Sequence, residues 1–143
     1  MTVRKIGGEL PVAFRYTPGV ANTAFLAALR DRGVLLGSRC GSCEVTYLPA
    51  RLFCERCFAE LTADVECGPE GTLESFTIGH VGIDDKPLQE PVVVGLVKLD
   101  GADTVLMHLL AGMDAPRVGM RVRTVLRVER AGSILDIEGF AQV

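Results

Sequence analysis

The sequence predicts a mainly β protein with a short N-terminal helix, a metal-binding ribbon and a small five-stranded barrel. Three observations predict this fold class: a helix-like segment near the N-terminus, two C-x-x-C pairs after it, and five strand-like segments in the second half. The 143 residues are 48% hydrophobic and 23% charged, which is close to the globular average and excludes a disordered or coiled-coil chain.

The first twenty residues are rich in glycine and proline and show little periodicity, which indicates an extended arm. A helix is predicted over residues 23–32, because Asn22 is a favourable N-cap and Gly33 a favourable C-terminal stop. Its apolar residues share one face: Phe25, Leu26 and Leu29. A helix of about three turns is marginally stable alone in water, so we expect this face to pack on the rest of the protein.

Four cysteines occur as two C-x-x-C pairs with ten residues between them: Cys40, Cys43, Cys54 and Cys57. Each pair can form a tight knuckle, and the segment between the pairs predicts a hairpin that turns near Pro49. Four converging thiolates suit a tetrahedral Zn²⁺ site, and without a histidine or an open ligand position the predicted site is structural. The alternatives are iron in the same four-cysteine site, or buried reduced thiols or a redox dithiol without metal.

The ribbon segment is too short for an apolar core, so we expect the metal rather than packing to hold it. Structural zinc contributes on the order of 10 kcal/mol or more in modules of this kind. Three arginines lie close to the cysteines in sequence, where their charge would offset that of a four-thiolate centre: Arg39, Arg51 and Arg56.

Five strand-like segments predict the barrel: residues 71–81, 91–99, 104–110, 121–130 and 134–140. Asp100-Gly101 and Ala131-Gly132 supply tight turns between neighbouring segments. In the fourth segment, alternation places four residues inward: Val122, Thr124, Leu126 and Val128. Five short strands in about seventy residues predict a closed barrel, and the five-stranded OB-fold is the commonest such solution.

These elements divide the chain into an N-terminal arm and helix (residues 1–33), a rubredoxin-like zinc ribbon (34–66) and an OB-fold (67–143). The connection between the third and fourth barrel segments is too short for the helix that an OB-fold carries there. The second segment is apolar on both faces; with the stretch 107–110 and Phe140, it exceeds what a small barrel buries alone. This surplus predicts an interface, unless the N-terminal helix and arm cover it.

Charge and hydropathy exclude several functional classes. The net charge of −3 is a poor basis for non-specific nucleic-acid binding, although OB-folds and zinc ribbons both serve that role elsewhere. The second and third barrel segments contain no Phe or Tyr for base stacking, and a row of arginines on the fourth is the remaining basic feature: Arg121, Arg123 and Arg127. No apolar run is long enough to cross a bilayer and no signal peptide is visible, so we expect a cytoplasmic protein without membrane contact.

No convincing set of catalytic residues is visible in the sequence. Cys67 has no partner cysteine, and neither His80 nor His108 is near it in sequence to act as a base. His108 lies in an apolar strand-like stretch, where a histidine is more often a core residue than an acid–base group. We therefore predict no catalytic residue in this chain.

The order of these parts resembles the DUF35 family, and the resemblance extends over about residues 21–143. Its specific elements are the proline and arginine of Tyr47-Leu-Pro-Ala-Arg51, the strand that begins at Gly71-Thr-Leu-Glu, and the glycine of Val118-Gly-Met-Arg. The sequence departs from the family at the second knuckle, which lacks the usual proline and is followed by Phe58 rather than glycine.

The resemblance implies a non-catalytic zinc-containing subunit of a thiolase-type acyltransferase complex. In such complexes the partner chain holds the catalytic cysteine and histidines, while the DUF35 chain stabilises it and helps to bind acyl-CoA. The small subunit of a benzoylsuccinyl-CoA-type thiolase is one such setting, and a subunit of an acyl-CoA hydratase or aldolase complex is the alternative. If the diphosphate of coenzyme A contacts this chain, the candidate donors are Arg51, Arg56 and Lys86.

Overall fold

A computed structural model describes residues 16–82, 84–113 and 115–143, together with residues 8, 13 and 14. Most of the predicted N-terminal arm lies outside the described residues. In the described part, one α-helix precedes a three-stranded and a five-stranded antiparallel sheet, which confirms the predicted fold class. No helix of this part is both long and apolar enough to cross a membrane.

Helix α1 (Gly19–Arg32) begins four residues earlier than predicted. Pro18 is its N-cap and makes no side-chain capping bond; Gly19, at φ +74°, turns the chain into the helix, which is therefore formed before Asn22. The prediction of Asn22 as N-cap is therefore wrong. The C-terminal stop at Gly33 is confirmed: its φ is +67°, and its backbone N–H donates a hydrogen bond to the Leu29 carbonyl oxygen.

The ribbon consists of three short antiparallel strands in the order β2-β1-β3: β1 (Leu35–Cys40), β2 (Val45–Tyr47) and β3 (Ala63–Cys67). The chain reverses between β1 and β2 through the first C-x-x-C knuckle, because Cys40 pairs directly with Val45. The prediction of a turn near Pro49 is therefore wrong. A knuckle is itself a tight turn, so the first cysteine pair connects the hairpin strands.

Five strands form the OB-fold: β4 (Glu70–Val81), β5 (Pro87–Leu99), β6 (Val105–Leu109), β7 (Arg121–Leu126) and β8 (Ile137–Gln142). They pair in the order β6-β5-β4-β7-β8, and a parallel bridge between Leu110 and Phe140 brings the two edges of the sheet together. The described residues between β6 and β7 contain no helix, as their short connection predicts. At the start of β4, a Cβ on Gly71 would lie 2.5 Å from the Lys98 carbonyl oxygen, so only glycine fits there.

The fourth and fifth barrel strands differ from the prediction at the loop that joins them. Strand β7 ends at Leu126, and Val128, predicted to point inward, is 95% exposed. The predicted fifth strand begins instead as a 3₁₀ turn (Ile134–Asp136). The buried Asp136 carboxylate ends the strand pairing, because it accepts hydrogen bonds from three consecutive backbone N–H groups: Ala131, Gly132 and Ser133. These donors, with that of Ala131 the strongest, lower the pKa of Asp136.

One apolar core extends through helix, ribbon and barrel. Leu29 of α1, Leu36 and Leu48 of the ribbon, and Leu73 and Phe140 of the barrel belong to the same cluster of buried side chains. The expectation that packing does not hold the ribbon is therefore wrong. The prediction treated the ribbon as a separate unit, whereas its inner face completes the core of the barrel.

Hydrogen bonds also connect the ribbon to the turn that leads into β6. The Thr46 N–H donates to the Asp103 carboxylate at 2.8 Å, and the Asp103 N–H donates back to the Thr46 carbonyl oxygen at 2.9 Å. The Thr104 hydroxyl likewise accepts from the Leu48 N–H and donates to its carbonyl oxygen. The position of β2 is thus tied to the position of the first residues of β6.

Candidate metal centre

The four predicted cysteines come together at one end of the ribbon. Their Sγ atoms all lie within 4.8 Å of one another, and the Sγ atoms of Cys40 and Cys57 are 3.5 Å apart. In a tetrahedron with Zn–S bonds of about 2.3 Å, the sulfurs are about 3.8 Å apart, so the observed spacing fits a four-thiolate ion. The four cysteines are therefore positioned for a metal ion.

The two knuckles have the same backbone conformation at one position. In each, the residue after the second cysteine has a left-handed backbone conformation: Glu44 at φ +55° and Phe58 at φ +60°. This conformation favours glycine, and a bulky aromatic residue adopts it at a cost. Phe58 keeps this conformation with a side chain that is 78% exposed, so the local backbone cost is not increased by crowding from other residues. The departure from the family pattern at Phe58 therefore leaves the shape of the knuckle intact.

The cysteine sulfurs differ in their surroundings. Cys40 and Cys54 are buried, Cys43 is partly buried and Cys57 is exposed. The hydroxyl of the fully buried Tyr47 lies 3.3 Å from the Cys54 Sγ, and this hydrogen bond lowers the pKa of Cys54. The neighbouring Cys57 sulfur, in contrast, raises the pKa of Cys43. Four crowded thiols cannot all ionise together without a cation, so this donor set favours a divalent ion.

Sequence reasoning missed the contact of Tyr47 with the four-cysteine cluster, apart from the place of this residue in the family motif. The available signal was its position between the two cysteine pairs, but a strand tyrosine is most often simply a packed side chain. The pairing of β1 with β2 places it across from Ser38, with its hydroxyl reaching the second knuckle.

The three candidate coenzyme A ligands lie in two separate places. Arg51 has its guanidinium 4.9 Å from the centre of the Tyr47 ring and forms an ion pair with Glu55. Arg56 is exposed within the second knuckle. Lys86 lies in the turn between β4 and β5, where it forms an ion pair with Asp84 at 2.9 Å. The ribbon therefore brings Arg51 and Arg56 into one region, and Lys86 belongs to the barrel hairpin.

Arg51 also lines a groove of about 500 Å³ between the start of α1 and residues 49–53. Its wall is mainly apolar and includes Pro18, Val20 and Phe53, and Arg51 is its charged residue. Both Val20 and Phe53 are exposed to solvent. The groove thus combines apolar contact area with one guanidinium near the metal centre.

Cys67 and His108 do not form a catalytic pair. The buried Cys67 thiol has its pKa raised by burial and lies 4.0 Å from the Val65 carbonyl oxygen. The Nδ1 atom of His108 is buried without a hydrogen-bond partner, and burial lowers the pKa of this imidazole, whose ring contacts Phe140 edge to face. Within residues 16–82, 84–113 and 115–143, no cysteine thiol is hydrogen-bonded to a histidine or a carboxylate that could act as its base.

The outer face of β5 and β6 is mainly apolar and at least partly exposed, with Lys98 opposite Val105 at one end. On β6, Val105, Met107 and Leu109 alternate with inward residues, and Met107 is 67% exposed. Leu96 of β5 pairs with Met107, and Val94 pairs with Leu109, so these side chains extend the same face. We call this set of five residues the β5–β6 face. The predicted surplus of apolar surface is found here, but Phe140, which was counted in it, is fully buried in the core.

Two of the three arginines in the predicted row pair with carboxylates, and the third, Arg127, lies beyond the end of β7. Arg121 pairs with Asp100 at 2.5 Å and with Glu70 at 3.5 Å, and Arg123 pairs with the same Glu70. The two carboxylates balance the charge of these two arginines, so β7 presents no row of unpaired cations to a phosphate backbone. The geometry therefore gives no support to the nucleic-acid alternative.

Two family models match the chain, one after the other. Residues 27–62 match the rubredoxin-like zinc ribbon domain of ChsH2, and residues 64–127 match the C-terminal OB-fold domain of ChsH2. A DUF35 domain-containing scaffold protein from Methanocaldococcus jannaschii is 24% identical over 101 residues, which are 69% of this chain and 72% of that protein.

Two solved structures share the fold. A DUF35-family protein of unknown function from Sulfolobus solfataricus superposes with a TM-score of 0.69 at 23% identity, over 87% of both chains. A chain of an Ltp2-ChsH2(DUF35) aldolase superposes with a TM-score of 0.65 at 24% identity, over 90% of this chain and 98% of that one. At these identities the two structures establish a common fold of ribbon and barrel.

Proposed function

This chain belongs to the DUF35 family, and from that membership we propose that it is a non-catalytic, zinc-containing subunit of a thiolase-type acyltransferase complex. The observation that carries the proposal is the pairing of two features: a closed four-cysteine centre without an open ligand position, and an exposed apolar face on a neighbouring barrel. The first feature gives rigidity without chemistry, and the second is typical of a surface that another protein covers.

The names of relatives support a subunit role. The M. jannaschii relative is described as a scaffold protein, and the ChsH2 relative was solved with Ltp2 as an aldolase. We propose the same division of labour here, in which the partner chain holds the reacting groups. Cys67 and His108 fit this role, because Cys67 packs in the buried core, the half-buried His108 contacts Phe140, and the two do not form an acid–base pair.

Reconstitution with a catalytic chain tests this proposal. We expect the purified chain alone to show no thiolysis of acyl-CoA, and its mixture with a thiolase-like chain of the same organism to form a stable complex with activity. Size-exclusion chromatography and an assay of CoA-dependent thiolysis measure the two results. Turnover by the isolated chain would contradict the proposal, as would a thiolase-like partner that is equally active and stable without it.

A subunit of an aldolase complex is the second candidate, because the Ltp2-ChsH2(DUF35) aldolase contains a chain with this fold. The same reconstitution distinguishes the two candidates by the reaction supported. Cleavage of a β-hydroxyacyl-CoA to a carbonyl product without consumption of free CoA indicates an aldolase, whereas CoA-dependent cleavage of a β-ketoacyl-CoA indicates a thiolase.

We further propose that the Arg51 groove contributes to acyl-CoA binding. A coenzyme A molecule combines an anionic diphosphate with apolar and amide segments, and the groove combines one guanidinium with an apolar wall. Arg56 lies in the adjacent knuckle and could add a second positive charge, while Lys86 would contribute from the barrel hairpin.

Substitution of Arg51 tests the coenzyme A site. In the reconstituted complex, Arg51→Gln is expected to weaken CoA binding about tenfold or more, since a hydrogen bond to a charged group contributes roughly 1.5–3 kcal/mol. Arg32→Gln is the matched control, because Arg32 is also an exposed arginine in an ion pair but lies outside the groove. Isothermal titration with CoA measures the change. If both variants bind CoA equally well, and Arg56→Gln and Lys86→Gln are also unchanged, the proposal that CoA contacts this chain is contradicted.

A further inference from the structure

We propose that Tyr47 is a positioning residue of the metal centre, whose hydroxyl donates a hydrogen bond to the Sγ atom of Cys54. The inference rests on the proposed metal centre. The oxygen and the sulfur are 3.3 Å apart, and both side chains are fully buried. No family model or relative described above assigns a role to this tyrosine.

The direction of the bond follows from the chemistry of the ligand. A thiolate that holds a metal ion carries no proton, so its sulfur only accepts and the tyrosine hydroxyl donates. The hydroxyl lies between the Cys54 sulfur and the Glu55 backbone N–H, which can only donate, so its own proton is directed to the sulfur. An unpaired buried hydroxyl would be costly, so the bond serves tyrosine and sulfur together.

Arg51 contacts the face of the Tyr47 ring. Its guanidinium lies 4.9 Å from the ring centre, and its ion pair with Glu55 fixes it to the second knuckle, next to Cys54. A cation on the face of the ring draws electron density from it and strengthens the hydroxyl as a donor. Arg51, Tyr47 and Cys54 therefore form one connected set around the metal ligand.

The set supports the buried side of the centre. Cys54 lies inside, whereas Cys57 is exposed on the outer side. A chelator would therefore reach the ion from the side of Cys57, and Tyr47 would oppose the final release from Cys54. Groups of this kind typically change metal affinity by 10- to 100-fold when they are removed.

The test is Tyr47→Phe in the full chain, which keeps the ring and removes only the donor. We expect zinc affinity to fall about 10- to 100-fold in competition with a chelator. We also expect the sulfur-to-metal charge-transfer bands of the Co²⁺-loaded protein to shift, because the Cys54 thiolate keeps its backbone donors but has lost the hydroxyl donor. Leu61→Ala is the matched control: Leu61 is buried in the same small cluster, so this variant loses packing without losing a bond to sulfur.

A second measurement applies even if Tyr47→Phe folds poorly. The chain has two tyrosines, so a Tyr16→Phe background labelled with 3-fluorotyrosine reports on Tyr47 alone. We expect its ¹⁹F resonance to move when Zn²⁺ is replaced by Cd²⁺, because the bonded sulfur changes its electron density. An unmoved resonance, or a Tyr47→Phe variant with the affinity and Co²⁺ spectrum of the wild-type chain, would overturn the role of Tyr47. A wild-type chain that binds no metal would instead overturn the proposed centre.

Discussion

Removal of the metal is expected to unfold the ribbon, and with it part of the barrel. Structural zinc contributes on the order of 10 kcal/mol or more, which is comparable to the whole stability of a domain of this size. After exhaustive chelation, we expect backbone amides of β1, β2 and β3 to lose their protection from hydrogen exchange first. Helix α1 should follow, because its buried face packs into the same core as the ribbon.

Two cysteine variants provide the matched comparison for this prediction. Cys54→Ser removes a buried metal ligand, and Cys67→Ser changes a buried cysteine of the same chain that lies outside the centre. We expect the Cys54 variant to lose zinc stoichiometry and cooperative unfolding, and the Cys67 variant to keep both with a loss of about 1–3 kcal/mol. A chelated chain with an unchanged melting curve, or two variants of equal stability, would contradict a structural metal centre.

A charge placed on the β5–β6 face is expected to weaken assembly with the proposed catalytic partner strongly. Met107 is the most exposed residue of this face, and Met107→Asp would bury a carboxylate in the proposed apolar contact. Burial of an unpaired charge costs several kcal/mol, so we expect complex formation to weaken by at least about 100-fold. Sedimentation or surface plasmon resonance with the reconstituted partner measures the loss.

Val128→Asp is the matched control for the docking face. Val128 is an exposed aliphatic residue too, but it lies in the loop after β7, away from the β5–β6 face. We expect this variant to assemble normally, and both variants to keep the melting temperature of the parent chain. Normal assembly of Met107→Asp would place the partner on another surface and contradict the proposed docking face.

The cysteine spacing and the strand pattern allowed most of the fold and the metal centre to be predicted from the sequence. Two C-x-x-C pairs indicate a metal centre because each knuckle is a local structure, set by four consecutive residues. The first barrel strand, predicted over residues 71–81, agrees with β4 to within one residue, because its alternation is long and begins at a glycine that the packing requires. Such features depend on neighbouring residues in the sequence, so they can be predicted without knowledge of the tertiary structure.

The errors arose where distant residues decide local structure. The end of β7 depends on the Asp136 carboxylate, which binds three backbone N–H groups of the preceding loop. The burial of Phe140 depends on the parallel bridge with Leu110, thirty residues earlier in the chain. Neither contact is visible as a periodicity, so hydrophobic pattern alone extended the strand and counted the phenylalanine as surface.

The hydrogen bonds from Thr46 and Leu48 to the turn before β6 connect the four-cysteine centre to the β5–β6 face. Loss of the metal would therefore affect the proposed docking surface. A newly made chain that has not yet acquired its ion would lack an ordered β2, and the turn that positions Met107 would lose its anchor. Chains that hold the metal would therefore assemble with the proposed partner, and chains without it would not. Under the proposed function, the amount of assembled complex in a cell starved of zinc would follow the supply of the metal.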